Sequence, residues 1–272
     1  MQNAKFHSVF VALSVLFWVA LGASNSHARQ IAQDSDVRQH RAAYAHFIDG
    51  RYDEARRIWE RLQQSGDIHS YNNLGLLYLE GLGVEADAVK ARALLLAGIK
   101  AGRAAAKNNL GRMMYKGLGG PIDFAAARRL FIEAAREGHA NAQMRAGMML
   151  MRGEGGPVDN AKARHWLMKA AEGGDRRANY YLGLLHARGA GVDRDWSQAV
   201  AWFRKGAERG DPPAIYQLGT AYRDGRGVRK DPETAFDLIS RAARHGHRGA
   251  KNDIAALRAP TRAGRIAALS AN

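Results

Sequence analysis

The chain reads LGLLHARGAG at residues 182–191 and LGTAYRDGRG at residues 218–227. The two stretches share one leucine and three glycines, and almost every other position differs. The glycine after the leucine recurs every 36 residues along the chain, in five copies. These copies are Gly75, Gly111, Gly147, Gly183 and Gly219. Such self-similarity at a fixed period is typical of repeat architectures, in which similar units stack side by side.

The quoted stretch predicts a helix that ends at a glycine. Tyr181, Leu182 and Leu185 have helical spacing, and Gly183 lies in the middle of that helix, where glycine costs about 1 kcal/mol relative to alanine. A helix accepts this cost where a neighbouring helix must approach its backbone closely. We expect Gly189 to end the helix in the left-handed conformation that glycine adopts without strain.

A second helix is predicted from residue 196 onwards. Asp195 is expected to cap its first turn, and Ala199 to let the two helices close. A bulky residue follows each such alanine by three positions, and we expect Trp202 to fill the interior. Its counterparts are Leu94, Leu130, Trp166 and Leu238. Gly210 then ends the unit, so each repeat is a helical hairpin.

The repeat unit resembles the Sel-one-like repeat, a relative of the tetratricopeptide repeat. Residues 214–228, AIYQLGTAYRDGRGV, match its first half, and residues 159–174, DNAKARHWLMKAAEGG, match its second half. The resemblance extends over about residues 41–257. It implies an all-α fold, an α/α superhelical solenoid of helix-turn-helix repeats whose first helices line a concave surface.

The pattern predicts five segments along the chain. Lys5 precedes an apolar run at residues 9–22, and Ser26-His27-Ala28 is a small-x-small cleavage pattern. Together these features indicate a secretory signal peptide. The alternative is an apolar segment that is not cleaved and anchors the protein in the membrane. The predicted segments are a signal peptide (1–28), a tetratricopeptide-like N-terminal capping unit (29–69), five repeats (70–249), a C-terminal capping helix (250–259) and a mobile basic tail (260–272). The protein is thus expected to be periplasmic or secreted.

Composition limits the classes of function. The 272 residues include no cysteine, which excludes disulfides and cysteine-based metal sites. The net charge is +15, and removal of residues 1–28 would leave 40 basic and 26 acidic residues, a net charge of +14. This excess favours anionic partners such as acidic polysaccharides or acidic protein surfaces. Export makes nucleic acid an improbable partner.

No catalytic constellation is visible. No serine begins Ser-x-x-Lys or lies in Gly-x-Ser-x-Gly. His245 and His247 flank a turn without a third ligand nearby in sequence, so we expect them to be solvated rather than metal-bound. The sequence therefore predicts a protein that is not an enzyme and that holds no cofactor or metal ion.

The first helices are expected to carry a partner-binding groove. By resemblance to tetratricopeptide geometry, the inward positions lie three residues before and one, four and five residues after the mid-helix glycine. Asparagine, methionine, tyrosine and arginine at these positions suit peptide binding, although the methionines are also compatible with core packing. The predicted groove residues are Asn72, Asn108, Arg112, Tyr115, Met144, Met148, Met151, Tyr180, Arg188, Tyr216 and Arg223.

The function predicted from these features is that of a non-enzymatic exported adaptor or scaffold that holds a protein or peptide segment. The resemblance implies a role in envelope signalling or in exopolysaccharide regulation or secretion. The alternative is carbohydrate or polyanion binding through the basic surface. Hydrolysis of cell-wall material is a third class, and no residue recommends it.

Overall fold

The computed structural model describes residues 27–102 and 104–258. The all-α prediction is confirmed, because these residues contain thirteen α-helices and no β-strand. The helices are α1 (His27–Ile48), α2 (Tyr52–Gln64), α3 (Ile68–Glu80), α4 (Ala88–Lys100), α5 (Ala104–Lys116), α6 (Phe124–Arg136), α7 (Ala140–Arg152), α8 (Asn160–Glu172), α9 (Arg176–Arg188), α10 (Trp196–Glu208), α11 (Pro212–Asp224), α12 (Pro232–Arg244) and α13 (Arg248–Arg258).

The chain forms two compact units, Met1–Ile58 and Trp59–Asn272. In the first unit, α1 turns into α2 at Gly50, which has a φ of 77°, and the rings of Phe47 and Tyr52 meet edge to face with centroids 5.3 Å apart. Of the predicted signal peptide only the last two residues are described, and the predicted basic tail lies outside the described residues.

The second unit is a row of helical hairpins. Each hairpin pairs two consecutive helices, from α3 with α4 to α11 with α12, and each second helix packs on the first helix of the next hairpin. First helices of successive hairpins also contact each other, as α7 does with α9 and α9 with α11, whereas described second helices lie further apart. The first helices therefore form the inner side of this unit.

Close helix approach at the mid-helix glycine is confirmed. A Cβ atom on Gly183 would lie 2.3 Å from Cε1 of Phe203, and one on Gly147 would lie 2.6 Å from Cγ of Leu167. Atoms without a bond between them do not approach so closely, so only glycine fits here. The second helix of each hairpin thus rests directly on the backbone of the first.

The residue that fills the hairpin interior is not the one expected. Phe203 is completely buried, whereas Trp202 is half-buried and has the Lys205 Nζ 4.3 Å from its ring centroid. The prediction that Trp202 fills the interior is wrong by one position, since one residue rotates a side chain by about 100° around the helix axis. The interior residues are Leu95, Phe131, Leu167, Phe203 and Ile239.

The helix ends follow the predicted local chemistry. Gly189 is left-handed with a φ of 67°, and Asp195 Oδ1 accepts hydrogen bonds from the backbone N–H groups of Ser197 (2.8 Å) and Gln198 (3.0 Å). The same capping role is observed in the other repeats. These aspartates are Asp87, Asp123, Asp159 and Asp231.

A second set of caps, which the sequence analysis missed, opens the first helices. Asp67, Asp175 and Asp211 accept backbone hydrogen bonds at the starts of α3, α9 and α11. His247 holds the same repeat position, and its Nδ1 accepts from the Ala250 N–H at 3.1 Å. The expectation that His247 is solvated is therefore wrong, while His245 is exposed.

Helix α13 contacts the last complete hairpin through one shared carboxylate and through apolar side chains. The hydroxyl of Tyr216 donates to Oδ2 of Asp253 at 3.1 Å, and Arg223 Nη1 lies 3.3 Å from the same oxygen. Ile254 packs against the neighbouring apolar core, and His247 stacks on Tyr216 with ring centroids 4.4 Å apart. Polar and apolar contacts together therefore anchor α13.

We predict that Gly183→Ala destabilises the fold by about 1–3 kcal/mol, because the added methyl group would overlap the buried ring of Phe203. Urea unfolding of Gly183→Ala, Phe203→Leu and the double variant measures this. Since leucine leaves room for the methyl group, the double variant should lose less than the two single losses combined. A gain of about 1 kcal/mol in Gly183→Ala, as in an isolated helix, would contradict the close approach.

We predict that Asp253→Ala loosens α13, because it removes the acceptor that Tyr216 and Arg223 share. Hydrogen bonds to a charged group contribute about 1.5–3 kcal/mol, so amide exchange in α13 should accelerate by about tenfold or more. Hydrogen–deuterium exchange measures this rate. The matched control is Asp237→Ala, which changes an exposed aspartate of α12. Equal exchange in both variants would show that the apolar contacts alone hold α13.

Candidate partner-binding wall

The first helices of the second unit, α3, α5, α7, α9 and α11, form a surface that we call the inner wall. All eleven predicted groove residues belong to these helices. The structure divides them by burial and by their hydrogen-bond partners. Some are part of the core or bind other residues of the chain, and the rest remain accessible.

The asparagines at the start of the wall are buried. Asn72 and Asn108 are 8% and 5% exposed. Asn109 Nδ2 donates to Oδ1 of Asn72 at 2.7 Å, which joins α5 to α3. Both predicted asparagines thus lie between helices, and the expectation that they stand open to an extended peptide is wrong. The buried Oδ1 of Asn108 has no hydrogen-bond partner among the described residues.

The methionines in the middle of the wall mostly belong to the core. Met144 is 3% exposed and Met148 is 8% exposed, and both pack in the same apolar cluster as Leu167 and Leu182. Met151 alone of the three predicted methionines is half-buried and retains an accessible surface. The core interpretation therefore holds for Met144 and Met148, and their placement on an open groove is wrong.

Two arginines on neighbouring first helices follow. Arg112 on α5 and Arg145 on α7 are both half-buried, and Arg145 was not among the predicted residues. Arg145 Nε donates to Oδ1 of Asn141 at 2.8 Å. Burial, together with the positive charges of Arg177 and Arg112, lowers the pKa of Arg145 to about 10. Positive charges on three first helices, α5, α7 and α9, thus act on one another in this part of the wall.

Aromatic side chains lie beside these arginines. The rings of Tyr180 and Tyr181 meet with centroids 5.0 Å apart, and Arg152 Cζ lies 5.8 Å from the Tyr181 centroid. Burial raises the pKa of both tyrosines, so their hydroxyls stay protonated and able to donate at neutral pH. Tyr115 is half-buried and contacts Phe124 edge to face, with centroids 5.1 Å apart.

At the far end of the wall, Tyr216 and Arg223 bind Asp253 of α13, so these two side chains already have partners within the chain. Arg188 is exposed. Five of the eleven predicted residues thus remain at least partly accessible and do not bind α13, although Tyr115, Met151 and Tyr180 also pack against the edge of the core. They are Arg112, Tyr115, Met151, Tyr180 and Arg188.

The wall offers groups for binding rather than an arrangement for holding a metal ion. In the described residues, no cluster of three or more histidine, aspartate or glutamate side chains has a metal-binding arrangement. The helices described here also include none with the length and apolar character needed to span a bilayer. Guanidinium groups, tyrosine hydroxyls and one flexible thioether are the chemistry that this surface presents.

Comparison with known proteins identifies the fold. The family model for the Sel1 repeat matches residues 68–102, 104–139, 140–175, 176–211 and 212–247. A Sel1 repeat protein from Oxalobacter formigenes is 30% identical, with a TM-score of 0.75 over 78% of this chain and 84% of that chain. No curated protein gave a match.

A second solved structure is a protective antigen present in uropathogenic Escherichia coli strains, which displays an SLR fold. It is 29% identical, with a TM-score of 0.71 over 83% of this chain and 50% of that chain. The repeats found by the family model coincide with the five helical hairpins of the structure, and both solved proteins share their arrangement. The chain belongs to the Sel1 repeat family.

Proposed function

We propose that the chain is a non-enzymatic exported adaptor or scaffold that binds a protein or peptide segment along its inner wall. Sel1 repeat scaffolds generally mediate protein–protein interaction and are generally non-enzymatic. Envelope signalling, or the regulation or secretion of exopolysaccharide, is the cellular context that we propose. The apolar run at residues 9–22 and the cleavage pattern that follows support export.

The observation that carries this proposal is where the repeats differ. Glycines, capping aspartates and interior residues recur from copy to copy, and they build the hairpins. At the wall position five residues after the glycine, by contrast, the side chain is exposed in every copy and changes in size and in the sign of its charge. These residues are Glu80, Lys116, Arg152, Arg188 and Asp224. Identical hairpins thus present a non-repeating surface, which is what selective binding of one partner requires.

The accessible part of this surface supports protein binding. Tyr180, Tyr115 and Arg112 are of residue types enriched among the few interface residues that contribute most of the binding energy. Met151 has three rotatable bonds and adapts to apolar side chains of different shapes. The combination offers both hydrogen bonds and apolar contact to a bound segment.

An acidic polysaccharide is the second candidate partner. The net charge of +15 favours it, and many arginines lie exposed on second helices, Arg129 and Arg164 among them. Binding through dispersed exposed charges is screened by salt, because the Debye length shrinks from about 30 Å at 0.01 M to about 3 Å at 1 M ionic strength. Apolar contacts on the wall change little over the same range.

We predict that a photo-crosslinking amino acid at Arg188, on the wall, forms protein adducts in cells that make the protein. The same substitution at Arg164, an exposed arginine on the second helix α8, should form few or none. Tyr180→Ala combined with Met151→Ala should reduce the Arg188 adducts by about tenfold, since truncated interface residues of this kind cost about 1–2 kcal/mol. Gel mobility and mass spectrometry of the adducts provide the measurement.

Phe236→Ala is the matched control, because Phe236 is an exposed aromatic residue of α12, outside the wall. It should leave the adducts unchanged. Adducts at Arg164 as abundant as those at Arg188 would contradict the proposal. Retention on immobilised alginate that disappears between about 50 mM and about 500 mM NaCl, with no protein adducts at the wall, would favour the polysaccharide instead.

A further inference from the structure

Arg112 and Arg145 differ from the other half-buried cations of the wall, Lys107 and Arg177, in lacking a carboxylate partner. Among the described residues, no aspartate or glutamate oxygen lies within 4 Å of either guanidinium group. Arg112 Nη1 reaches only Oδ1 of Asn109 at 3.4 Å, and Arg145 reaches only Asn141.

The other half-buried cations of the wall are neutralised within the chain. Arg177 pairs with Asp175 at 2.7 Å, and Lys107 contacts Glu137. Lys116, Arg176 and Arg188 form no ion pair in the described residues either, but these three side chains are exposed to water. Arg112 on α5 and Arg145 on α7 are therefore the half-buried wall cations that remain without a carboxylate, and the charge of Arg112 acts on Arg145.

The position of Arg145 makes its charge unfavourable in the free protein. The side chain is half-buried, and its Cζ lies 5.6 Å from the centroid of the fully buried Phe131 ring. A charge that is removed from water and forms no ion pair destabilises the folded state. Burial and the charges of Arg177 and Arg112 lower the pKa of Arg145 to about 10, while Asp175, which pairs with Arg177, acts weakly in the opposite direction.

We propose that Arg112 and Arg145 form a binding site for a carboxylate of an acidic segment in the protein partner. This inference rests on the proposed function and specifies the chemistry of the partner. Two guanidinium groups from neighbouring helices can each donate hydrogen bonds to the two oxygens of one carboxylate, and such charge-assisted bonds are the strong ones.

A peptide carboxylate fits this site better than one on a sugar. The Arg145 guanidinium lies partly below the surface, so the ligand must reach inward. A glutamate side chain carries its carboxylate on a flexible apolar linker, whereas a uronate carboxylate is bonded directly to a bulky ring. The carboxylate of a peptide C-terminus has the same chemistry as that of a glutamate side chain. The binding experiment described next distinguishes these two kinds of carboxylate.

Fluorescence anisotropy of the purified full chain tests the site with labelled peptides. The probe is hexaglutamate blocked at both ends, compared with blocked hexaglutamine and with hexaglutamine that has a free C-terminal carboxylate. We expect hexaglutamate to bind at least about tenfold more tightly than blocked hexaglutamine. The alternative result is that hexaglutamine with a free C-terminus binds more tightly than its blocked form, while hexaglutamate has no advantage over blocked hexaglutamine. This result would also support a carboxylate site, and it would assign the site to the C-terminal carboxylate of a peptide.

Arg112→Gln and Arg145→Gln should each weaken hexaglutamate binding by about tenfold, because each removes one charged donor. Arg129→Gln, which removes the same charge from an exposed position of α6, should change binding by less than about twofold. If all three substitutions weakened hexaglutamate binding equally, general electrostatic attraction would explain the binding, and the proposal of a site at Arg112 and Arg145 would be wrong. Alginate binding that depends on Arg112 and Arg145, without peptide binding, would overturn the choice of a peptide.

Thermal unfolding separates a binding role from a structural one. Arg145→Gln should keep or raise the Tm, by up to about 2–4 °C, because it removes a half-buried charge that forms no ion pair in the described residues. A lower Tm with unchanged hexaglutamate affinity would show that Arg145 only supports the fold. Wall crosslinks that persist in the Arg145→Gln variant would overturn this site and leave the proposed function standing, whereas the absence of all wall crosslinks would overturn the proposed function.

Discussion

The contact between a glycine backbone and a buried side chain fixes the dimensions of each hairpin. At Gly183 the ring of Phe203 lies where a Cβ atom would be, and Leu167 occupies the same place opposite Gly147. Because the second helix rests on the backbone of the first, the distance between the two helices hardly depends on the other side chains. The wall residues are consequently free to vary without disturbing how hairpins stack, and the diversity of the inner wall depends on this contact.

Sequence patterns predicted those features whose causes are local. Gly189 needs a left-handed backbone and Asp195 needs free N–H groups a few residues ahead, so each can be recognised within a single turn of chain. Trp202 was assigned to the interior instead of Phe203 because hydrophobicity alone does not distinguish adjacent bulky residues. Only the rotation of the helix against its neighbour decides which of them is buried, and that rotation is a property of the packed hairpin.

Exposure on the wall was harder to predict for a related reason. It depends on the spacing between successive first helices, which no single repeat contains. Met144 and Met148 lie where the helices pack closely and are buried, and Asn72 meets Asn109 across the same kind of junction. Arg145, two positions before its mid-helix glycine, was left out because the tetratricopeptide geometry places other positions inward. The positive charges that lower its pKa, those of Arg177 and Arg112, nevertheless belong to adjacent first helices.

The distribution of charge indicates which parts of the wall serve the fold and which do not. A cation that stabilises the molecule is expected to have a carboxylate nearby, as Arg177 has in Asp175. Arg112 and Arg145 form no ion pair in the described residues, although 26 acidic residues are present in the chain and an exposed pair costs little to form. A half-buried arginine without such a pair gains most from a carboxylate that reaches it, because the two charges then meet where water is partly excluded. The site that we propose assigns this carboxylate to the segment that the wall binds.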